Sequence, residues 1–518
     1  MFKKIIKSLL GLSLALILLL TGLLIWPLPD MPMHGLKGNF VVRGVSVVDV
    51  KSGSVLEDQN VLVVAGKIKA LTSGSLFEGA GSVHEIEGSG KFLVPGLWDM
   101  HTHSLNISPQ YTHPLMLANG ITGVREMWGC MSEPDSFIAC KGKLEQWDRS
   151  RQEGKSLSPR HIITSSFQVN GGSEVPESIP DFFKVRDQHE AEKLVEFYRG
   201  AGIDSIKTYS DLSMESYQLL ASETRKQNMM LAGHRPVRVP LTALLEAGHR
   251  SVEHPRLFLF ECYRGAAGYR DGDDPLGAYN TEFRASLVDQ HDRDRCIDLM
   301  AKMSDSETWW TPTLQVLRMS AFASDAQFVE DPRLKYIPYV IRQGMWKGDI
   351  KRSATLAFDP SGRNVDMEMY ELALQNVRQA YLAGVNLLAG TDAGDTYVFP
   401  GFSIHDELSE LVRAGLAPAE ALRIATIDAA VFSGRQKEFG SVEAGKVADM
   451  ILLNANPLLD ITHTQEIEAL FFSGQYLDRA ALNELLVFAE QQAGSIRTNL
   501  AILKGALSSP LIRVQLAD

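Results

Sequence analysis

The chain has 518 residues, of which 45% are hydrophobic and 22% are charged, and its formal net charge is −12. This composition is typical of a globular protein with enough apolar residues for a large core. The acidic balance argues against a nucleic-acid-binding protein, which would present a basic face.

The N-terminal segment, residues 1–28, has the pattern of a membrane anchor or signal. Lys3, Lys4 and Lys7 precede an uncharged, mainly apolar run from Ser8 to Trp26. As a helix, this run would span about 28 Å, close to the hydrocarbon thickness of a bilayer. The lysines should stay in the cytoplasm, which predicts an extracytoplasmic protein anchored to the cytoplasmic membrane. A cleaved signal is the alternative, although its apolar region is usually shorter.

Short β-rich runs separated by turns occur near both ends of the chain. They fill most of residues 39–93 and return at Ala448–Leu453 and Ile467–Phe472. We therefore predict a small β-sandwich domain built from residues 37–95 and 436–478.

Between these parts, residues 96–435 alternate apolar strand candidates with segments of helical periodicity. Eight β/α units predict an α/β fold with a TIM-type (β/α)8 barrel. The long excursions at 255–308 and 315–385 are expected to overhang the mouth of the barrel. Residues 479–518 are predicted as a C-terminal helix and tail. The eight predicted strands are Leu93–Met100, Ile121–Met127, His161–Phe167, Ser205–Tyr209, Met230–Gly233, Ser251–Glu253, Trp309–Leu314 and Asn386–Ala389.

The four cysteines permit disulfides in a chain that is expected outside the cytoplasm. We favour the local pairs Cys130–Cys140 and Cys262–Cys296, because each would close a loop beside the barrel mouth. Four unpaired thiols are the alternative.

A histidine pair follows the first barrel strand, at His101 and His103. Residues i and i+2 of a strand share a face, so these two imidazoles can bind one metal ion side by side. Imidazole suits zinc and other first-row divalent ions. The pair alone is weak evidence, and its position after Pro95, Gly96 and an apolar run strengthens it.

Polar residues also end four other predicted strands. Lys207, His234 and His254 end the fourth, fifth and sixth, and Asp392 ends the eighth. The carboxyl ends of barrel strands meet at one mouth, so we expect these four residues to converge with the histidine pair. Each alone would more often be structural, and a buried lysine is costly unless it is paired or modified. Together they predict a metal site.

Two further residues are weaker candidates for substrate contact. Tyr209 lies two residues after Lys207 on the same strand face, and His405 follows the eighth strand. Packing within the body of the protein is the alternative for both residues.

This combination resembles the amidohydrolase superfamily, and within it the imidazolonepropionase-like and prolidase-like branch. The resemblance covers roughly residues 39–478, including the entry segment Phe92–Ser104 and the late segment Gly440–Asp449. It implies a binuclear centre of two divalent ions, with zinc as the expected metal.

The resemblance also implies a role for each residue of the set. His101 and His103 would bind the more buried ion, and His234 and His254 the second. Lys207 would react with carbon dioxide to form a bridging carbamate. Asp392 would bind metal and carry the catalytic proton.

The predicted activity is hydrolysis of a C–N amide bond in a small-molecule or peptide substrate. A dipeptide or a peptide C-terminus is our first choice, and a cyclic amide or N-acyl amino acid is the alternative. Deamination of a heterocycle ranks third. A membrane-tethered binding protein on a catalytically retired scaffold is a different class, and the complete residue set argues against it.

Overall fold

The computed structural model describes residues 26–74, 83–131, 133–170 and 181–510, together with Gly11, Gly22 and Ile512. The predicted anchor between Ser8 and Trp26 therefore lies almost entirely outside the described residues. Within the described part, no helix is both long and apolar enough to cross a membrane.

The strands are numbered in chain order and form two sheets. The first six are β1 (Leu36–Lys37), β2 (Asn39–Asp49), β3 (Ser54–Val64), β4 (Lys67–Ser73), β5 (Val83–Glu87) and β6 (Phe92–Pro95). The next eight are β7 (Leu97–Thr102), β8 (Ile121–Glu126), β9 (Arg160–Val169), β10 (Ser205–Thr208), β11 (Met230–Gly233), β12 (Ser251–Glu253), β13 (Trp309–Thr311) and β14 (Asn386–Leu387). The last three are β15 (Met450–Leu453), β16 (Ile467–Phe472) and β17 (Gln475–Asp478).

Strands β7 to β14 form a parallel sheet in which each strand pairs with the next along the chain. The two ends of the sheet meet: Met100 N donates to Ala389 O, and Asp392 N donates to His101 O, each at 2.9 Å. These bonds close the sheet into a ring, so the predicted (β/α)8 barrel is confirmed. Strands β7 and β8 are buried along their whole length, as expected for barrel strands that are covered on both faces.

The second sheet is mostly antiparallel and contains β1 to β6 from one end of the chain and β15 to β17 from the other. Strand β2 pairs with β5 along its first half and with β6 near its end. This change of partner lets the sheet enclose its own core, in which Phe40 packs against Phe471 with ring centroids 5.8 Å apart.

The prediction that Leu93–Met100 forms one barrel strand is wrong. The structure divides it after Pro95 into β6, which joins the antiparallel sheet, and β7, which begins the barrel. Gly96 at the division lies tightly against Thr122, where an added Cβ would come within 2.3 Å of the side-chain oxygen. The division therefore passes the chain from one sheet directly into the other.

Helices cover the outside of the barrel, and the main apolar core lies between them and the strands. A second core inside the barrel includes Trp98, Met100, Trp309 and Leu388. The helices from the first to the last barrel unit are Thr112–Ala118, Lys141–Gln152, Gln188–Gly200, Met214–Lys226, Leu241–Ala247, Leu257–Glu261, Ala266–Arg270, Thr281–Asp289, Arg293–Ser304, Leu314–Phe322, Ala326–Val329, Tyr339–Ile341, Lys347–Leu356, Val365–Leu382, Ser403–Arg413, Pro418–Arg423 and Ala429–Phe432.

Two helices follow the small sheet, Arg479–Gly494 and Ile496–Ser508. The first corresponds to the predicted C-terminal helix. The second, which we call the C-terminal helix below, lies in a part of the sequence for which no element was predicted. The Ser495 side chain accepts a hydrogen bond from Thr498 N and thereby caps the start of the C-terminal helix.

Candidate active site

A cavity of about 810 Å³ lies at the carboxyl ends of the barrel strands, and all six predicted site residues line it. His101 and His103 come from β7 and the residues just after it, and Lys207 comes from β10. His234 directly follows β11, and His254 directly follows β12. Asp392 lies in the segment after β14. The barrel therefore brings together side chains that are far apart in sequence.

Asp392 lies between the imidazoles. One carboxylate oxygen is 2.7 Å from Nε2 of His103 and 3.5 Å from Nε2 of His101, and the other is 3.5 Å from Nδ1 of His254. Atoms of His101, His254 and Asp392 capable of binding metal lie within 4.8 Å of one another. The histidines next to Asp392 hold the pKa of its carboxyl well below the usual range, despite burial.

His234 completes the row of imidazoles. Its ring centroid is 4.3 Å from that of His254, which in turn is 5.0 Å from that of His101. Burial lowers the pKa of His254 to about 3 and holds that of His234 well below the usual range, and it also lowers the pKa of His101. These rings are therefore neutral at physiological pH, the form in which a ring nitrogen can bind metal.

The donor set fits a metal centre. Nε2 of His101, Nδ1 of His234 and Nε2 of His254 are buried nitrogens that lack a hydrogen-bond partner within the described part of the chain. Unsatisfied buried polar atoms are costly and call for a ligand or another explanation. With Nδ1 of His103, four such nitrogens belong to side chains that line the same cavity as Asp392, and imidazole and carboxylate are ligands that suit zinc or a similar divalent ion.

Lys207 is buried on the same cavity wall, and its Nζ donates to the main-chain oxygen of Met127. Burial lowers the pKa of Lys207 to about 8, although the charge of Asp392 opposes this shift. About a tenth of the amine is therefore uncharged at pH 7, compared with far less for an ordinary lysine, and an uncharged amine is the form that can react as a nucleophile.

Two of the predicted metal ligands have strained backbone conformations. His254 has φ of 78° and Asp392 has φ of 67°, both in the left-handed region that side chains other than glycine rarely adopt. Such strain costs about 1–3 kcal/mol per residue and is concentrated at functional sites.

A charged network that sequence reasoning missed lies beneath the histidines. Glu253 accepts a hydrogen bond from Nδ1 of His101 at 2.9 Å, and Arg125 donates to both oxygens of the same carboxylate at 2.7 and 2.8 Å. Arg125 also donates to the main-chain oxygen of Met100 and to Ser251. The network fixes the ring of His101 with Nε2 facing the cavity.

Two other buried carboxyls accompany the site and were not predicted. Burial raises the pKa of Asp99 to about 7, and its oxygens accept from the main chain and side chain of Thr391. Asp395 lines the cavity, and burial, reinforced by the charge of Asp392, raises its pKa to about 7. The only sequence signal for either residue was its closeness to a predicted ligand.

The two weaker candidates differ in position. Tyr209 lines the cavity and its ring lies 4.3 Å from that of His234. His405 is fully buried away from the cavity, with its ring nitrogens 2.9 Å from the hydroxyl of Thr464 and 3.1 Å from the main-chain oxygen of Asn119. Its predicted substrate contact is therefore wrong, because both nitrogens are used in packing its helix against neighbouring elements.

The wall opposite the strand ends is largely apolar. Both long excursions, the loop after β8 and the C-terminal helix contribute to it. The large side chains of this wall are Trp128, Phe137, Phe260, Tyr269, Leu276, Tyr279, Val316, Val340, Ile341, Met345, Ile502 and Leu503. Disulfides Cys130–Cys140 and Cys262–Cys296, the two local pairs, tie down segments that carry wall residues.

Arg256 is the cationic group of this wall that is left for a ligand. Its Nε donates to the hydroxyl of Tyr279 at 3.1 Å, and among the described residues no carboxylate forms an ion pair with it. Arg235, which also lines the cavity, is instead paired with the buried carboxylate of Glu261 at 3.3 Å. Arg256 therefore faces the cavity without a carboxylate at ion-pair distance among the described residues, although Asp366 and Asp395 lie close enough to interact with its charge.

Comparison with known proteins agrees with this architecture. Residues 368–477 match the sequence model of the Amidohydrolase family. The fold is similar to that of bottromycin amidohydrolase, with a TM-score of 0.68 and 22% identity over 89% of this chain and 92% of that one. It is also similar to a Xaa-Pro dipeptidase with methionine bound in the active site, with a TM-score of 0.59 and 17% identity over 85% of this chain and 100% of that one. No curated protein matches the chain significantly.

The resemblance to the amidohydrolase superfamily that the sequence predicts is thereby confirmed, with the family model covering residues 368–477. At these identities the solved structures show a shared fold. The ligand roles of the six residues stay predictions.

Proposed function

We propose that the protein is a binuclear metal-dependent hydrolase that cleaves the C–N bond of an amide, in a dipeptide or at a peptide C-terminus. The observation that carries this proposal is the meeting of four imidazoles, Lys207 and Asp392 in one cavity, where each imidazole has one ring nitrogen without a hydrogen-bond partner among the described residues. The similarity to an amidohydrolase and a dipeptidase supports the same reaction class.

In this proposal His101 and His103 would hold one ion and His234 and His254 the other. Lys207, as its carbamate, would lie between them, and Asp392 would complete the set. When bound, two such ions lower the pKa of a water molecule and polarise the substrate carbonyl.

The remaining steps belong to side chains of this chain. Asp392 accepts the proton of the attacking water at the carboxylate oxygen that faces His103, and then gives it to the leaving nitrogen. Its low pKa means that the carboxylate is ionised at neutral pH. Tyr209, which lines the cavity beside His234, would contact the substrate.

Arg256 would bind the carboxylate of a peptide C-terminus, because it is a cavity cation that forms no ion pair with a carboxylate among the described residues. The apolar wall also favours the second candidate, an N-acyl amino acid, since such a compound combines a carboxylate with an apolar acyl group. We further propose that the protein acts outside the cytoplasm, held to the membrane by its N-terminal segment.

The test is a hydrolysis screen with purified full-length protein supplied with zinc. The panel contains dipeptides, N-acyl amino acids, a cyclic amide and an aminated heterocycle, with Asp392→Asn as the inactive control. We expect amide hydrolysis and about two metal ions per chain. Hydrolysis of none of the amides, or a protein that binds no metal, would reject the proposal in favour of a deaminase or a retired scaffold.

A further inference from the structure

The C-terminal helix, Ile496–Ser508, has one face in the cavity wall and another on the protein surface. Ile502, Leu503 and Ala506 line the cavity. The helix is held in place by polar contacts: Val340 N donates to the side chain of Asn499 at 2.9 Å, and Ser136 donates to Gly505 O at 2.9 Å. Its outer face is therefore presented in a fixed orientation.

The outer face is apolar. Ile496, Leu500, Leu503 and Leu507 follow one another at spacings of four, three and four residues, which places them on one stripe of the helix. Ile496 is 70% exposed, Leu503 is 44% exposed and Leu507 is 73% exposed. Exposed leucines and isoleucines at this spacing form a continuous patch, which is unusual for a surface that faces only water.

The patch continues to the rim of the cavity. Met345 and Leu276 both line the cavity and are nevertheless 43% exposed, and Tyr339 beside the helix is 56% exposed. Leu503 belongs both to the cavity wall and to the outer stripe. We call the set Leu276, Tyr339, Met345, Ile496, Leu500, Leu503 and Leu507 the mouth surface.

The charge of the helix is opposite to that of the chain. Between Ile496 and Ser508 it carries Arg497 and Lys504 and no acidic residue, whereas the whole chain has a net charge of −12. A helix with an apolar stripe and basic flanks is the pattern of segments that lie in the interface of anionic membranes.

The N-terminal apolar run ends beside this helix. Arg497 donates to the main-chain oxygens of Trp26, at 3.2 Å, and of Pro27. The following linker is tied to the barrel, because Gln110 donates to Pro29 O at 3.0 Å. The last residue of the run is thus fixed next to the first turn of the C-terminal helix, and Trp26 itself is 71% exposed.

We infer that the mouth surface lies against the lipid bilayer and that the cavity takes the acyl chain of an amphiphilic amide from it. The inference rests on the proposed hydrolase function for its substrate. Within that function it selects the N-acyl amino acid: Arg256 binds the carboxylate, the strand ends hold the amide, and the apolar wall receives the acyl chain.

The membrane contact is tested by photo-crosslinking of the full-length protein in vesicles of phosphatidylethanolamine with a minority of phosphatidylglycerol. A photoreactive benzoylphenylalanine replaces Leu507 or, as the matched control, Leu382, which is also 73% exposed but ends an outer helix of the barrel. We expect lipid adducts at position 507 and few at 382. No lipid adduct at 507, equal adducts at both positions, or crosslinking to a second copy of the chain would overturn the inference.

The substrate preference is tested with N-acyl amino acids of increasing chain length dissolved in the same vesicles. We expect kcat/KM to rise by up to about 4-fold for each added methylene until the cavity is filled. Leu507→Glu should lower the ratio of long-chain to short-chain kcat/KM, whereas Leu382→Glu should leave it unchanged.

If kcat/KM did not change with acyl chain length and short amides were hydrolysed well, the inference would be overturned and the hydrolase proposal would stand. Failure to hydrolyse any amide would instead reject the hydrolase proposal and with it the substrate assignment. The crosslinking result is independent of turnover, so the two failures can be told apart.

Discussion

Glu253 and His101 lie on opposite sides of the barrel interior and are joined by a hydrogen bond of 2.9 Å between a carboxylate oxygen and Nδ1 of the imidazole. Arg125 pairs with the same carboxylate, and these interactions hold the pKa of Glu253 far below the usual range despite complete burial. Glu253 is therefore an anionic acceptor that fixes the tautomer of His101 and leaves Nε2 free for a metal ion.

Replacing Glu253→Gln should weaken metal binding by about 10- to 100-fold, the usual cost of losing a carboxylate behind a metal-binding histidine. The amide cannot provide the negative charge that makes the imidazole a better ligand, although its shape is preserved. The measurement is the dissociation constant for zinc, determined by competition with a chelator.

The control for this prediction is Glu246→Gln, an exposed glutamate on the helix Leu241–Ala247. It should bind zinc as the unsubstituted protein does. Equal zinc affinity in Glu253→Gln and the control would show that Glu253 only packs the barrel interior.

Asp392→Asn should reduce kcat by about 10²- to 10⁴-fold, the contribution expected of a general base and acid. The carboxamide can still accept from His103 but cannot take up a proton. The change is followed by comparing kcat with metal content for the same preparation. Normal turnover would exclude Asp392 as the proton carrier, and loss of metal along with turnover would assign it a ligand role alone.

Lys207→Ala should remove both activity and part of the bound metal, because the carbamate oxygens are lost. A short carboxylate such as propionate should restore some activity by occupying the vacated space with two oxygens of the right charge. Propionamide, which has the same shape without the charge, should not. Equal rescue by the two compounds, or an active Lys207→Ala protein, would argue against a carbamate at this position.

Much of the architecture follows from local sequence signals. The barrel strands are short apolar runs between amphipathic helices, and their carboxyl ends carry the polar residues, so the order of strands fixes which residues meet. The structure places the six predicted residues around one cavity for this reason. The start of the helix Val365–Leu382 also has a local cause, since Asn364 caps it by accepting from Met367 N.

The features that the sequence did not reveal depend on long-range contacts. The division at Gly96 arises because this residue must fit against Thr122 and donate to Asp449 O, which lies hundreds of residues later. The charged network of Glu253 depends on His101 of β7 and Arg125 of β8, so its role has no local pattern. The sequence of the C-terminal helix does not show that the helix borders a cavity. That contact exists only once the barrel and its excursions have assembled around the helix.

Arg256→Gln should raise KM for substrates with a free carboxylate by about 10- to 100-fold, since a hydrogen bond to a charged group contributes about 1.5–3 kcal/mol. For the corresponding carboxamides, KM should change little. The comparison is made with each substrate in its acid and amide forms, and Arg264→Gln, an exposed arginine of the same excursion, serves as control. A uniform rise in KM for both forms would mean that Arg256 shapes the cavity without binding the carboxylate.

The stability of the protein should depend on the ionisation of Glu407, which is buried and does not line the cavity. Burial raises the pKa of this carboxyl to about 8, even though Leu314 N and Gln315 N donate to it. In the unfolded chain the same carboxyl loses its proton near the ordinary glutamate pKa of 4.5. Between these two values the folded state holds a proton that the unfolded state does not, so stability is highest at low pH and falls as pH rises towards 8.

Glu407→Gln keeps an acceptor oxygen for Leu314 N but cannot ionise, so its melting temperature should fall less between about pH 5 and pH 8 than that of the unsubstituted protein. Other buried carboxyls, such as Asp99, titrate in both proteins, so their effect cancels when the two melting temperatures are subtracted. Glu330→Gln, at an exposed position, is the control and should show the same pH dependence of melting temperature as the unsubstituted protein. Parallel melting profiles for Glu407→Gln and the unsubstituted protein would mean that the main-chain donors keep Glu407 ionised in the folded state.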